Sequence, residues 1–306
     1  MKIYPIAFDS LGVRSMCTLV CINNLKIIID PYAALAPIRF GFEPSNLEID
    51  MLNFYLKQIY KIGNFCNYAI VTHYHYDHHP RPNDTNFFES FRNCKFLIKN
   101  FEKEHYSARK RGKLFEENLK KFKIEYEFAD SEEIKIGRSK IIFSEPVWHG
   151  EVKSKVGRVI MLLLKYKKEK FFFGSDAQFL IDENALNFVL DYKPKYLIID
   201  GFPTILEGYK VKKESFKIGV KHMEKIFEEI NYKWIIIDHH LLRDKNFDKK
   251  FPYFDYKKIT TAAKYYNLEN LLLEAYRKEI FENKISFDLN KYKSYFSNLI
   301  KNVLSN

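Results

Sequence analysis

Cysteine is scarce in this chain, with four in 306 residues. Cys17 and Cys21 lie four positions apart in a strand-like stretch, so their side chains face the same side and could touch one metal ion. Small buried thiols are the commoner explanation for such a pair. Cys66 and Cys94 lack the spacing of metal ligands. The low cysteine content fits an intracellular protein.

Long apolar runs are absent as well, and no stretch approaches the roughly 20 residues that a membrane span needs. A charge follows at Asp9, too soon after the N-terminus for the apolar segment of a secretory signal. No Gly/Ser/Pro-rich linker or low-complexity tract divides the chain. We therefore expect a soluble, cytoplasmic protein without membrane partners, folded as a single domain over 1–306. Residues 258–306 are predicted to form C-terminal helices, at 259–284 and 289–304.

The charge balance is basic, because 50 Lys and Arg face 39 Asp and Glu for a net charge of +11. Such a balance favours anionic partners, including nucleic acid and phosphorylated small molecules. The excess is scattered lysine with no long basic tract, and a lysine-rich or heat-adapted proteome would give the same totals. The charge therefore favours an anionic substrate without deciding it.

The most informative stretch is His73-x-His75-x-Asp77-His78, which directly follows the apolar, strand-forming run 68–71. Because side chains alternate along a strand, His73 and His75 project to the same side. Asp77 and His78 then come from the turn that follows. Three imidazoles and a carboxylate at a strand end form a ligand set for Zn²⁺ or a similar metal. A His-rich solvated loop is the alternative, and the strand context disfavours it.

Four further polar residues occupy the same kind of position later and earlier in the chain. Each follows a short apolar run that predicts a strand, and an α/β scaffold presents its chemistry at strand ends. These residues are Asp30, His149, Asp176 and His239.

The motif and these strand-end residues, in this order, resemble the metallo-β-lactamase superfamily over residues from about 1 to 245. The wording around the motifs is similar to an archaeal branch of predicted metal-dependent hydrolases. The resemblance implies an α/β (α+β) fold, the four-layer αββα sandwich with two mixed sheets face to face and helices outside. It also implies a hydrolase with two divalent metal ions, with Zn as the first expectation and Mn or Fe as alternatives.

By this resemblance, each metal has its own ligands and one carboxylate is shared. A metal-bound water has its pKa lowered toward roughly 7, so two metals about 4 Å apart can hold a hydroxide between them. Asp77 would also orient that hydroxide as a catalytic residue. The implied ligands are His73, His75 and His149 for the first metal, Asp77, His78 and His239 for the second, and Asp176 as the bridge.

The last ligand has an alternative, because His239 and His240 are adjacent. Relatives similar to ribonuclease Z place an Arg four residues after this His, and Arg243 matches that spacing from His239. His240 then becomes a pocket residue or a proton donor to the leaving group. We expect Asp238 to orient an imidazole and Asp30 to lie near the metals without binding them, although a plain turn would also explain Asp30.

Substrate contacts are expected from two places. His79 precedes a Pro-Arg-Pro sequence that holds the backbone extended, and it is either a pocket residue or a solvated neighbour of the motif. The basic, amphipathic segment 100–121 contains His105, Arg109 and Arg111 and is a candidate lid or anion-binding element. A solvated helix face would give the same pattern.

The function favoured by these observations is hydrolysis of a phosphodiester or another anionic substrate, either a small molecule or nucleic acid. A thioester, ester or lactone hydrolase is the alternative, since loops rather than the fold choose the substrate. An inactive nucleic-acid-binding relative is a third possibility, which the complete ligand set disfavours. The redox di-iron relatives place Glu where this chain has His75, so a hydrolase is favoured over an oxidoreductase. The oligomeric state stays open, with a homodimer as one option.

Overall fold

A computed structural model describes residues 1–305 and divides the chain into two compact units. Unit 1 contains Met1–Phe128 together with the chain from Leu268 onward, and unit 2 contains Ala129–Asn267. The single domain over 1–306 stays a prediction.

The strands alternate with helices along the chain. In chain order the strands are β1 (Lys2–Phe8), β2 (Met16–Ile22), β3 (Leu25–Ile29), β4 (Tyr68–Val71), β5 (Lys95–Ile98), β6 (Tyr126–Phe128), β7 (Glu133–Ile136), β8 (Ser139–Phe143), β9 (Val147–Trp148), β10 (Arg158–Val159), β11 (Leu162–Tyr166), β12 (Glu169–Phe173), β13 (Tyr196–Asp200), β14 (Trp234–Asp238) and β15 (Ile259–Thr260). The helices are α1 (Asn46–Gly63), α2 (Thr85–Ser90), α3 (Tyr106–Lys121), α4 (Glu183–Tyr192), α5 (Lys213–Glu229), α6 (Phe247–Lys250), α7 (Ala262–Tyr265), α8 (Arg277–Phe281) and α9 (Leu289–Leu304).

Unit 1 is built on a mixed sheet in which β1 to β6 lie side by side in chain order. The first three strands are antiparallel, and β3 to β6 are parallel. Asn23 adopts a positive φ of 51° in the turn between β2 and β3, a conformation that Asn tolerates well. The parallel strands are continuous apolar runs such as Ile27–Ile29, whose side chains are all buried. Such runs are typical of strands covered on both faces.

Helix α1 begins at a capping box and is tied to a distant arginine. Ser45 caps the helix, and its hydroxyl and backbone N–H both donate to Glu48, at 3.0 Å. The buried Arg277 guanidinium donates to the two oxygens of Glu48 at 2.7 and 2.9 Å. It also donates to the carbonyls of Ala36 and Phe42 at 2.9 and 3.1 Å. A single ion pair thus joins the helix start, an irregular loop and the C-terminal part of unit 1.

Unit 2 contains a second mixed sheet, in the order β15-β14-β13-β12-β11-β8-β7. Strands β12 to β15 are parallel, whereas β11 is antiparallel to both β12 and β8. β9 and β10 form a separate small hairpin, and β9 rather than β8 leads into His149. The buried runs Phe171–Phe173 and Ile235–Ile237 fill the middle of this sheet. Their ends carry the polar residues of interest.

The predicted helix at 259–284 is wrong, whereas the one at 289–304 is confirmed as α9. Residues 259–260 instead form β15, because the β-branched pair Ile259-Thr260 extends the parallel sheet beside β14. Two short helices, α7 and α8, follow, and Asn267 between them adopts a φ of 56° that interrupts helical geometry. Tertiary pairing therefore overrides the helical pattern of this segment.

Two mixed sheets, each combined with helices, confirm the predicted α/β fold class. Within residues 1–305, none of the helices has the length and apolar character required to cross a bilayer.

Candidate metal centre

In unit 1 the predicted motif forms a compact cluster where β4 ends. His73 and His78 are buried, and their rings lie 4.2 Å apart between centroids. The His75 ring lies 4.7 Å from that of His73. Donor atoms of Asp30, His73 and His78 all lie within 4.8 Å of one another. The loop after β4, which we call the metal loop (residues 72–79), therefore brings the motif's imidazoles together.

The fully buried Asp30 organises the metal loop from the end of β3. Its Oδ1 accepts the Thr72 backbone N–H at 2.8 Å, and its Oδ2 accepts the Thr72 hydroxyl at 2.7 Å. The same Oδ2 lies 2.9 Å from Nδ1 of His78. A carboxylate on one ring nitrogen fixes the tautomer and orientation of an imidazole, which then binds a metal through the other nitrogen. Nε2 is thus the metal-binding atom expected of His78.

Asp77 and His73 complete the unit 1 cluster. The Asp77 Oδ1 lies 3.9 Å from Nε2 of His78, and this carboxylate is partly exposed. The Thr72 hydroxyl lies 3.2 Å from Nδ1 of His73, so this ring would also present Nε2 to a metal. Asp77 is therefore the carboxylate of the loop that solvent or a substrate can reach.

In unit 2 the fully buried Asp176 lies at the middle of the second cluster. Its Oδ2 is 3.1 Å from Nε2 of His149 and 3.4 Å from Nε2 of His239. Donor atoms of Asp176, His239 and His240 lie within 4.8 Å of one another. One carboxylate thus faces several imidazoles, and its two oxygens give it the capacity to bind two cations.

Strained backbone positions hold this second cluster. Ser175, before Asp176, has a φ of 49°, and His239 has a φ of 62° where β14 passes into a 3-10 turn. Asp238 accepts the His239 backbone N–H at 2.8 Å and the Ala262 N–H at 2.9 Å. These two contacts tie the end of β14 to the chain around Ala262, and the role of Asp238 in orienting an imidazole stays a prediction. Non-glycine residues at positive φ concentrate at functional sites, where the surroundings fix them.

Asp200 is a site residue to which the sequence analysis gave no role. Its Oδ1 accepts the His240 backbone N–H at 3.0 Å, and its Oδ2 lies 2.8 Å from Nδ1 of His240. Burial and the nearby Asp176 charge raise the pKa of Asp200 well above its usual value, whereas burial lowers the pKa of His240. A sequence signal was available, because Asp200 follows the apolar run 196–199 just as the other strand-end residues follow theirs.

The structure brings both His239 and His240 beside Asp176, so the alternative between them remains. Arg243 lies close to the first of these rings, with its Nη2 3.1 Å from Nε2 of His239. His240 instead has its ring anchored by Asp200. The two imidazoles therefore differ in their surroundings: His239 lies beside both Asp176 and Arg243, whereas Asp200 holds His240.

The predicted substrate residues are dispersed. Arg111 donates to the Tyr74 carbonyl at 3.3 Å, and its guanidinium carbon lies 4.8 Å from the centre of the Tyr76 ring. His105 and Arg109 are exposed on the first turns of α3, and the His105 ring contacts the Ser107 hydroxyl. Of these three residues, the contacts place Arg111 against the metal loop.

The structure excludes the solvated alternative for His79, whose side chain is buried. Its role as a pocket residue stays a prediction. His79 is 1% exposed, and its ring is packed among those of Tyr74, Tyr76 and Phe115 at 5.2 to 5.5 Å between centroids. Burial lowers the pKa of His79 to about 3. Tyr74 and Tyr76 alternate with the motif and cover the ring from the same loop, whereas Phe115 covers it from α3.

Because of this burial, we expect His79 to make unfolding depend on pH. The unfolded chain protonates this ring near its ordinary pKa of 6.5 and the folded chain near 3, so the unfolded state binds more protons in between. The neutral ring makes its full contribution to the free energy of unfolding above pH 6.5. As the pH falls below that value, this contribution decreases by up to about 1.4 kcal/mol per pH unit. The free energy of unfolding of metal-free protein, measured with urea at several pH values between 5 and 7, should change less with pH in His79→Phe than in wild type. His105→Phe, which replaces an exposed ring, should show the wild-type dependence on pH. The same pH dependence in all three proteins would contradict the prediction.

The donor set fits divalent metals of the zinc type. Imidazole nitrogens and carboxylate oxygens are the ligands of such sites, and each unit supplies both kinds from buried positions. Two of the rings have a carboxylate at Nδ1, which leaves Nε2 for a metal: Asp30 lies beside His78, and Asp200 lies beside His240. That arrangement is characteristic of metal-binding histidines.

Comparison with known proteins gives relatives whose similarity extends along most of the chain, and more distant solved structures. No model of a known protein family matches the chain. A possible metal-dependent hydrolase from Veillonella parvula is 15% identical, covers 74% of this chain and 83% of its own, and has a TM-score of 0.48. An isothiocyanate hydrolase from Delia radicum gut bacteria is 13% identical, with 85% and 92% coverage and a TM-score of 0.48.

The relatives by sequence are much nearer. A UPF0282 protein of Metallosphaera sedula is 37% identical over 92% of this chain and 93% of its own. A UPF0282 protein of Methanocaldococcus jannaschii is also 37% identical, over 93% of this chain and 98% of its own. Identity at this level across nearly the whole of both chains shows that this protein belongs to the UPF0282 family.

Proposed function

We propose that this protein is a hydrolase that works with two divalent metal ions, most simply Zn²⁺. The observation that carries the proposal is the fully buried Asp176 carboxylate, with imidazole nitrogens of His149 and His239 within 3.4 Å. A buried charge among imidazoles is costly unless it is paired or binds a metal. The proposed ligands are those that the family resemblance implies. They are His73, His75, Asp77 and His78 from unit 1 and His149, Asp176 and His239 from unit 2.

The metals, Asp77, His240 and Asp200 have different proposed roles in the reaction. When bound, the metals supply an activated water and stabilise negative charge on the attacked group. Asp77, the reachable carboxylate of the metal loop, accepts a hydrogen bond from the attacking water and orients it. His240 transfers a proton to the leaving group, and Asp200 holds its ring through Nδ1 so that Nε2 faces the reaction.

A phosphodiester is the proposed substrate, because two cations flank the metal loop in unit 1. The guanidinium carbons of Arg81 and Arg111 lie 5.3 and 4.8 Å from the centre of the Tyr76 ring. Within residues 1–305, neither guanidinium has a carboxylate within the 4.0 Å of an ion pair. Both guanidiniums lie over the ring of Tyr76, the residue before Asp77, and suit a substrate phosphate, which arginine binds in a bidentate fashion.

Hydrolysis of bis(p-nitrophenyl) phosphate by metal-loaded protein tests the proposal. We expect turnover by wild type and its loss in Asp77→Ala, because the variant lacks a proposed ligand and the group that orients the water. Asp50→Ala removes an exposed carboxylate of unit 1 that pairs with Lys293, and it should keep wild-type activity.

The two parts of the proposal fail in different ways. Protein that binds two metals and cleaves no phosphodiester would contradict the substrate class, and the same protein would then be assayed with thioesters and lactones. Protein that binds no metal at neutral pH would contradict the hydrolase assignment itself.

A further inference from the structure

A cavity of about 560 Å³ lies along the N-terminal half of α3 in unit 1. Its lining combines aromatic rings, cations and carboxylates, from Phe101, Glu102, Tyr106, Arg109, Lys110, Lys113 and Glu116. Tyr106, Arg109 and Lys113 recur at intervals of three and four, so they share one face of the helix. Arg111, which contacts Tyr76, is 200° around the helix from Arg109. The cavity is therefore distinct from the metal loop.

The cavity carries uncompensated positive charge. Within the part of the chain that the structure describes, Arg109, Lys110 and Lys113 have no carboxylate within ion-pair distance. Glu116 is already engaged, because it pairs with Lys120 at 2.9 Å and accepts the Tyr126 hydroxyl. Three cations thus face one unengaged carboxylate, Glu102, which suits an anionic ligand.

Two aromatic rings of different exposure border the same cavity. Tyr106 is 71% exposed, whereas Phe101 is 6% exposed. Phe101 is fixed in place, since a Cβ on Gly112 of α3 would lie 2.5 Å from the Phe101 Cβ. Glycine at this position lets Phe101 pack directly on the helix and form the cavity floor. An exposed ring beside cations is the combination on which nucleobases stack while their phosphates are held.

We propose that this cavity binds a nucleoside phosphate, with its base on Tyr106 and its phosphate held by Arg109 and Lys113. The cavity volume suits a ligand of this size. The carboxylate of Glu102 can accept hydrogen bonds from base amino groups or ribose hydroxyls. The ligand is either a free nucleotide or one unit of a single-stranded nucleic acid. The site requires no metal, so it stands independently of the hydrolase proposal.

Binding to the metal-free full chain tests this site separately from catalysis. The probes are AMP and ATP by calorimetry, and a fluorescein-labelled single-stranded RNA of about ten nucleotides by anisotropy, a length within the reach of single-strand sites. Arg109→Ala/Lys113→Ala should weaken binding at least tenfold, because each charge-assisted hydrogen bond is worth roughly a factor of ten or more. Tyr106→Ala should weaken it about tenfold, and Tyr106→Phe should retain it.

A charge-matched control separates a site from general attraction. Lys121→Ala/Lys123→Ala removes two exposed cations that begin about 18 Å along the helix from Arg109, beyond the screening length at physiological salt. This variant should bind like wild type. Binding of AMP or ATP would identify free nucleotides as the source, and binding of RNA alone would identify a nucleic-acid strand. Absence of binding to every probe, or equal losses in the two double variants, would overturn the proposal.

Discussion

Replacing Asp176 by alanine should remove bound metal and abolish hydrolysis while the chain remains folded. Asp176 is the buried carboxylate shared by the imidazoles of unit 2, so its loss removes the proposed bridge. Mutation of a residue that only orients a metal ligand typically lowers metal affinity or activity about 10- to 100-fold. Loss of the bridging ligand should therefore lower turnover more than a hundredfold. The Asp176 charge also raises the pKa of Asp200, so its removal relieves repulsion between two buried carboxylates. The metal-free variant should therefore unfold at a urea concentration at least as high as wild type.

The matched control is Asp244→Ala, which removes another buried carboxylate of unit 2. Asp244 accepts the Thr204 hydroxyl at 2.8 Å and pairs with Lys250 at 3.0 Å, in contacts separate from those of Asp176. It should lose stability and keep its metal, the reverse of Asp176→Ala. Metal content by elemental analysis, turnover and urea unfolding distinguish the two. Full metal occupancy in Asp176→Ala would refute its role as the bridge.

Arg277→Ala should be among the most destabilising single substitutions in unit 1, by about 3–5 kcal/mol in the free energy of unfolding. Arg277 and Glu48 are both fully buried, and the guanidinium makes bonds to the carboxylate and to two backbone carbonyls. Truncation leaves the Glu48 charge buried without its cation and leaves the carbonyls of Ala36 and Phe42 without this donor. Denaturant unfolding of metal-free protein measures the loss.

An exposed pair provides the comparison. Arg92 lies 3.7 Å from Glu89, and both side chains are 58% exposed. Exposed pairs contribute roughly 0–1 kcal/mol, so Arg92→Ala should be close to wild type. If both variants lose similar stability, the Arg277 contacts do not anchor unit 1.

The sequence allowed prediction wherever the signal was local. Short continuous apolar runs predicted the strands that precede Asp30, His73, Asp176 and His239, because a strand's pattern is contained in its own few residues. The His-rich motif after β4 was equally local. Its ligand assignment to two metals rests on the family resemblance and remains a proposal.

The predictions that failed or fell short depended on contacts between residues distant in sequence. Residues 259–260 became a strand because β14 offered an edge to pair with, which their own helical pattern does not reveal. His79 is buried by Phe115 from α3 as well as by its own loop. Asp200 meets His240 only because β13 and β14 are neighbours in register. Each of these facts is a property of the assembled sheet or helix contact rather than of the segment.

The discontinuity of unit 1 has a consequence for synthesis of the chain on the ribosome. Glu48 and Arg277 are 229 positions apart, and translation at about 5–20 residues per second separates their appearance by roughly ten seconds or more. During that interval all of Ala129–Asn267 is made, a continuous segment that contains the whole sheet of unit 2. Unit 2 can therefore complete its hydrogen-bonded sheet before Arg277 has been made, at a time when Glu48 of unit 1 still lacks its ion-pair partner. Nascent chains halted before Arg277 should consequently expose the N-terminal unit to protease more than the later one.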